Sequence, residues 1–125
     1  MFMVEVISNM PVGATAIRRG QICKVVAGLV VPCSVLGEAF FGIAKDDYRV
    51  GEPTGSFVVT GEAEVEVADA ASIIGSIVRT DANGRAVPTA AASQSVGLLL
   101  EPGAALISGI SAYSRVIVRA HNVIS

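Results

Sequence analysis

Residues 75–89 read "GSIVRTDANGRAVPT", two short β-branched runs on either side of an Asp-Ala-Asn-Gly bend. Asn-Gly between such runs predicts a type I′ hairpin turn, because Asn83 and Gly84 both tolerate the positive φ that turn needs. The rival reading is an EF-hand loop, which also requires a third oxygen ligand before its Gly and a bidentate Glu six residues after it. That later position is Ala90, and no helical pattern flanks the run. Asp81, Asn83 and Gly84 therefore read as turn formers, and no metal site is expected.

The same pattern occurs earlier in the chain. "GQICKVVAGLVVPC" (residues 20–33) lies over residues 75–89 with one residue inserted in the second copy, so that Gly20 matches Gly75, Ile22 matches Ile77, Val31 matches Val87 and Pro32 matches Pro88. Downstream, "FFGIAKD" (40–46) lies over "SVGLLLE" (95–101), with Gly42 on Gly97. Each unit predicts a strand, a tight turn, a strand with Pro near its end, a variable loop and a Gly-bearing strand. Pro cannot donate to a sheet ladder, which puts Pro32 and Pro88 at a strand end or edge.

Outward from these units the chain continues as Val- and Ile-rich runs of four to eight residues bounded by turn formers, among them "GSFVVTG", "EAEVEVA" and "SRVIVRA". Sustained 3.6-residue periodicity is missing. The expected fold is all-β, a small barrel or sandwich built from two related β-units with few or no helices; one helical turn is expected at "DAASII" (69–74), capped by Asp69. Residues 1–12 form an N-terminal arm or strand, and 13–125 a single β domain with repeats at about 13–68 and 69–121. In the arm, Phe2, Met3 and Val4 belong to a run that can complete the domain's own sheet or add to a neighbour's.

Charged residues make up 16% of the 125 and hydrophobic ones 52%, against ~25% charged in typical soluble domains. No run reaches the ~18 apolar residues of a membrane-spanning helix, and "MFMVEVISNMP" lacks the pattern of a secretory signal. We expect a protein made in a cytoplasm, with no membrane partner, whose apolar surplus is absorbed by subunit interfaces. The net charge is −2 with scattered basic residues, so no nucleic-acid partner is expected.

Candidate sites are few. Glu62, Glu64 and Glu66 alternate with Ala63, Val65 and Val67, so in a strand the carboxylates share one face; we expect a solvated one, since glycosidic catalysis needs carboxyls opposed across a substrate. Arg115 and Arg119 mirror the row, and opposite charges on facing strands attract, so the Glu row is expected to meet them within the subunit or across to a neighbour. His121 is the single histidine, without a Gly-x-Ser-x-Gly elbow. Cys23 and Cys33 read as small buried residues or as a disulfide. No catalytic residue, cofactor site or phosphate loop is expected.

The ordered run from "GIAKDDYRVGEPTG" through "GSIVRTDANGRAVPT" to "SVGLLLEPG" resembles the capsid cement, or head decoration, proteins of tailed bacteriophages. The resemblance is carried by Gly42 with Asp46 and Asp47, Gly51 with Glu52, Gly75 with Val78, Asp81 through Ala86, and Val96 through Glu101, over residues 13–119. After Glu101, "PGAALISGISAYS" departs from the family's shorter turn. The resemblance implies a non-enzymatic virion protein that binds the outer surface of an assembled capsid and stabilises it. It further implies the major capsid protein as partner, a homo-oligomer with a trimer favoured, no cofactor, and synthesis in the host bacterial cytoplasm. Phe2, Met3, Val4, Glu64, Glu66, Arg115 and Arg119 are the candidate subunit or capsid contacts. The alternatives are a small β-barrel enzyme using His121 with a nearby Ser or carboxylate, and a ligand-binding domain.

Overall fold

The computed structural model describes residues 4–67, 77–88, 96–99 and 112–118, and every helix or strand within them is a strand. In chain order these are β1 (Glu5–Met10), β2 (Ile22–Val26), β3 (Leu29–Pro32), β4 (Gly42–Ala44), β5 (Gly55–Val67), β6 (Ile77–Thr80), β7 (Ala86–Pro88), β8 (Gly97–Leu99) and β9 (Ala112–Val118). The helical turn expected at 69–74 lies outside the described residues. The fold is all-β, with the nine strands linked through their pairings into one mixed sheet.

Two three-stranded units carry the same register. In the first, Cys23 lies opposite Pro32 of β3 on one side and Gly42 of β4 on the other; in the second, Val78 lies opposite Pro88 of β7 and Gly97 of β8. Both prolines end their strands, where the missing N–H costs no ladder bond.

The units are joined by β5. The runs "GSFVVTG" and "EAEVEVA" form one thirteen-residue strand rather than two, and Gly61, at φ +103°, lies where its partners change. Up to Thr60, β5 pairs with β1 and β4; from Gly61 to Val67 it pairs with β9, and Val67 also bridges Ala86 of β7 in parallel. Gly61 also shifts the alternation by one residue. Val58 before it and Ala63, Val65 and Val67 after it enter the same hydrophobic cluster, as when a bulge residue is inserted into a strand. That cluster draws on both units, from Ile22, Cys33 and Ile43 in the first to Val78, Ala86 and Val96 in the second. A second cluster, around Phe57, belongs to the first unit and holds Val12, Ile17, Cys23, Val30 and Ala44. Phe57 is completed by Phe41, edge-on at 5.8 Å, and Tyr48 at 5.5 Å. The Tyr48 hydroxyl accepts from the Ser56 amide at 2.9 Å and donates to the Ser56 carbonyl.

The turns reverse the expectation for their type. The two-residue turn with two positive φ values, the type I′ geometry, is Ala27–Gly28 of the first unit, at +51° and +81°. In the second unit the residues between Thr80 and Ala86 form a five-residue loop in which only Gly84, at +73°, is left-handed. Asp81 organises this loop: one carboxylate oxygen accepts from the Asn83 and Arg85 amides at 2.8 and 2.9 Å, and the Asp81 amide donates to the Arg85 carbonyl. The inserted residue therefore turns a tight hairpin into a wider one that needs a side-chain acceptor.

The wider loop reaches the other unit. The Ile22 amide donates to the Gly84 carbonyl at 2.7 Å, and the Gln21 side-chain amide donates to the Asn83 carbonyl at 2.8 Å. Gln21 is almost fully buried, and its side-chain oxygen accepts from the Arg18 amide. A Cβ on Gly84 would stand 2.6 Å from Gln21 Cγ and 2.9 Å from the Ile22 carbonyl oxygen, whereas one on Gly28 would meet nothing within 4 Å. Both substitutions pay for a left-handed backbone, about 1–2 kcal/mol, but only Gly84→Ala also overpacks a backbone contact, about 1–3 kcal/mol more. Urea unfolding is expected to place Gly84→Ala well below Gly28→Ala in stability; equal losses would remove the loop's role as a staple between the units.

Candidate contact surface

The Glu row is not uniformly solvated. Glu64 is exposed and Glu62 half-buried, but Glu66 is only 1% exposed, which corrects the expectation of a solvated face. Three residues of the 18–20 turn explain it. The Gly20 carbonyl accepts from the Glu66 amide at 2.9 Å, and Arg18 closes over the carboxylate, donating from Nη2 to Oε1 at 2.8 Å and from Nε to Oε2 at 3.2 Å. Arg19, next in sequence, projects to Glu64 and forms an exposed ion pair with it, while its amide donates to Asp47 at 2.7 Å. The adjacent arginines thus serve alternate members of one carboxylate row. Strand periodicity names the last strand as a partner of that row but carries no information on a turn 45 residues away that lies over it.

The register of β5 with β9 sets Glu64 directly opposite Arg115 and Glu66 opposite Tyr113. Arg119, Phe2, Met3 and His121 lie outside the described residues. Val4 is 49% exposed, and the strand it leads into, β1, pairs with β5 of the same chain through Val6 opposite Val58 and Ile7 opposite Phe57. Asn83 and Gly84 lie in the β6–β7 loop described above.

Apolar side chains remain at the surface in several places. Val6 and Ile7 on β1, Val25 and Val26 on β2, Leu29 on β3, and Val35, Leu36 and Val50 in loops are each about 40–60% exposed. An open groove of about 700 Å³ runs over one face of the β2–β3 hairpin. Its walls are the bend at Thr15–Ala16 and the loop at 82–85. Arg18, Lys24 and Arg85 reach it, each held by a carboxylate: Arg18 by Glu66, Arg85 by Asp81 at 3.4 Å, and Lys24 by Glu38 at 2.6 Å. Burial raises the Glu38 carboxyl, but the Lys24 ammonium and the Ser34 and Val35 amides outweigh it and hold the carboxyl below its ordinary range.

The cysteines are unbonded and buried, Cys23 in the cluster around Phe57 and Cys33 in the shared one. Burial, with Glu38 nearby, pushes the Cys33 thiol up to about 12, and burial, reinforced by Cys33, pushes Cys23 higher still. Nucleophilic chemistry requires the opposite shift, since the thiolate is the reactive form.

Two outcomes follow from these contacts. Arg18→Ala leaves the Glu66 carboxylate buried without its partner and is expected to cost about 3 kcal/mol or more. Arg19→Ala breaks an exposed pair and should cost no more than about 1 kcal/mol. Equal values in urea unfolding would show that Glu66 does not depend on Arg18. For the thiols, the folded pKa lies above the unfolded value of about 8.5, so their contribution is intact below that pH and is lost as pH rises towards the folded value. Above pH 9 stability should fall by up to about 1.4 kcal/mol per pH unit per thiol, and Cys33→Val should reduce that slope; an unchanged slope would show that Cys33 ionises equally in both states.

A family described as phage cement protein matches residues 5–112. The crystal structure of the N base of head fiber gp8.5 of bacteriophage phi29 is similar in fold, with a TM-score of 0.64 at 13% identity, covering 95% of this chain and 100% of that one. No curated protein matches the sequence. With the match spanning both β-units and the strand that joins them, this chain belongs to the phage cement protein family.

Proposed function

We propose that the protein binds the outer surface of an assembled phage capsid, with the major capsid protein as its partner, and reinforces the shell as a structural and non-enzymatic component of the virion, made in the cytoplasm of the host bacterium. The match to the phage cement family over residues 5–112 carries this reading. The exposed apolar residues on β1, on the β2–β3 hairpin and around Val35 support it, as surface that a partner would cover. A trimer is the favoured assembly. Of the candidate contacts, Val4 and Glu64 are exposed and Arg115 lies opposite Glu64 in register. Phe2, Met3 and Arg119 remain candidates at the two ends of the chain. Glu66 acts through Arg18 rather than by direct contact, because its carboxylate is buried.

Stabilisation is by mass action: a subunit that binds the assembled shell and not its dissociated parts adds about 2.7 kcal/mol per site at a hundredfold excess over Kd. A copy that bridges several shell subunits is released only when all its contacts break together, which raises its effective affinity.

The experiment is to titrate purified protein into expanded capsids that lack it, and to follow bound protein by sedimentation and shell disruption by heating. Saturation at a fixed ratio to the shell protein, with disruption moved to higher temperature, is the expected outcome. Binding that does not saturate, or saturation without any gain in shell stability, would overturn the proposal.

A further inference from the structure

We propose that the groove over the β2–β3 hairpin receives an acidic, extended segment of the capsid protein; this rests on the capsid-binding reading above and gives it a location and a chemistry. The floor follows from strand geometry. Lys24 lies opposite Val31 and Val26 opposite Leu29, and alternation puts all four side chains on one face of the hairpin. The other face holds Cys23 and Val30, which are fully buried in the core. Val26 and Val31 line the groove; Val26 is 50% exposed, and Leu29 beside it on the same face is 41% exposed.

The walls supply the charge. Arg18, Lys24 and Arg85 line the groove, and among the described residues no Asp or Glu does, although the chain as a whole has a net charge of −2. Each cation has a carboxylate partner, and in both arginine pairs that partner is the less exposed member. Side-chain exposure is 54% for Arg18 against 1% for Glu66, and 28% for Arg85 against 16% for Asp81. Lys24 and Glu38 are nearly equal, at 21% and 19%. The two arginine pairs are therefore dipoles oriented with the positive end toward the groove. Arg18 is held by two bonds to one carboxylate, so little side-chain entropy is left to lose on binding. An apolar centre with arginines at its margin is the composition of a protein contact.

The charge decides the occupant. A neutral or basic segment would desolvate the exposed sides of these cations and add no opposite charge, whereas carboxylates would meet the cations there.

The test compares Val26→Glu, Val26→Lys and Val50→Glu in the capsid titration. Val50 is 59% exposed and does not line the groove. We expect Val26→Glu to weaken binding at least about tenfold, Val26→Lys to lose clearly less, and Val50→Glu to bind as the wild type does. The contrast between Glu and Lys at one position holds even if both variants lose the same stability. Wild-type affinity in Val26→Glu would overturn the groove as the site, equal losses in the two Val26 variants would overturn the acidic occupant, and a changed solution mass in Val26→Glu would give the face to another copy of the chain. Failure of the wild type to saturate capsids would instead be the failure of the capsid-binding reading, and this proposal would fall with it.

Discussion

The constraint on which the rest of the structure depends is the shift of alternation at Gly61. Thirteen residues of β5 serve both halves of the molecule, and side chains in a strand alternate strictly, so a slip of one residue sends every later side chain to the opposite face. Without the shift, Ala63, Val65 and Val67 would leave the shared core and the Glu row would enter it. The backbone reaches φ +103° at Gly61, a conformation that costs glycine little and other residues a good deal. One residue therefore allows a single strand to bury valines on one face along its length while changing partners from β1 and β4 to β9.

A shared strand ties the two units together. Residues of both contribute to the larger cluster, and the β6–β7 loop is bonded to Gln21 and Ile22 at the start of β2. The Gly37 amide also donates to the Thr80 carbonyl at the end of β6. Polar contacts and core thus cross the same boundary. Separating the units would expose half of one core and orphan buried groups such as Gln21, a cost of the kind that makes a buried polar group need its partner.

Much of this is legible in the sequence where the determinant is local. Alternating β-branched runs, Gly at turns and Pro at strand ends place the strands of both units, and the equivalence of Cys23 with Val78 is visible from the matched residues around them. What is not legible depends on distant segments. Whether Gly61 ends a strand or bends it is decided by which strands pair on either side of it. Whether Asn83–Gly84 closes a tight hairpin or a wider loop depends on one inserted residue and on Asp81 as acceptor, while Ala27, a weaker turn former by propensity, takes the left-handed position in the tighter hairpin. The burial of Glu66 is set by a turn at Arg18 and Gly20 that is remote in sequence. Alternation correctly puts the three carboxylates on one face; it carries no information on what covers that face.

The covered carboxylate bears on how such a surface could work. An isolated guanidinium on a flexible stem would lose rotamer entropy on meeting a partner, and in ~0.15 M salt its field would be screened over about 8 Å. Arg18 avoids the first loss because the buried Glu66 fixes it in advance. The second matters less once a partner excludes water from the groove, since the same charges then interact through a lower dielectric. The acidic residues behind the groove therefore do not simply cancel its cations. They hold them in place and, being less exposed in both arginine pairs, leave the positive ends outward. The rigidity of the sheet beneath, where Lys24, Val26 and Val31 are fixed by cross-strand pairing, extends the same preorganisation to the floor of the groove. A small β protein gains most from contacts whose ordering cost is met in the unbound state.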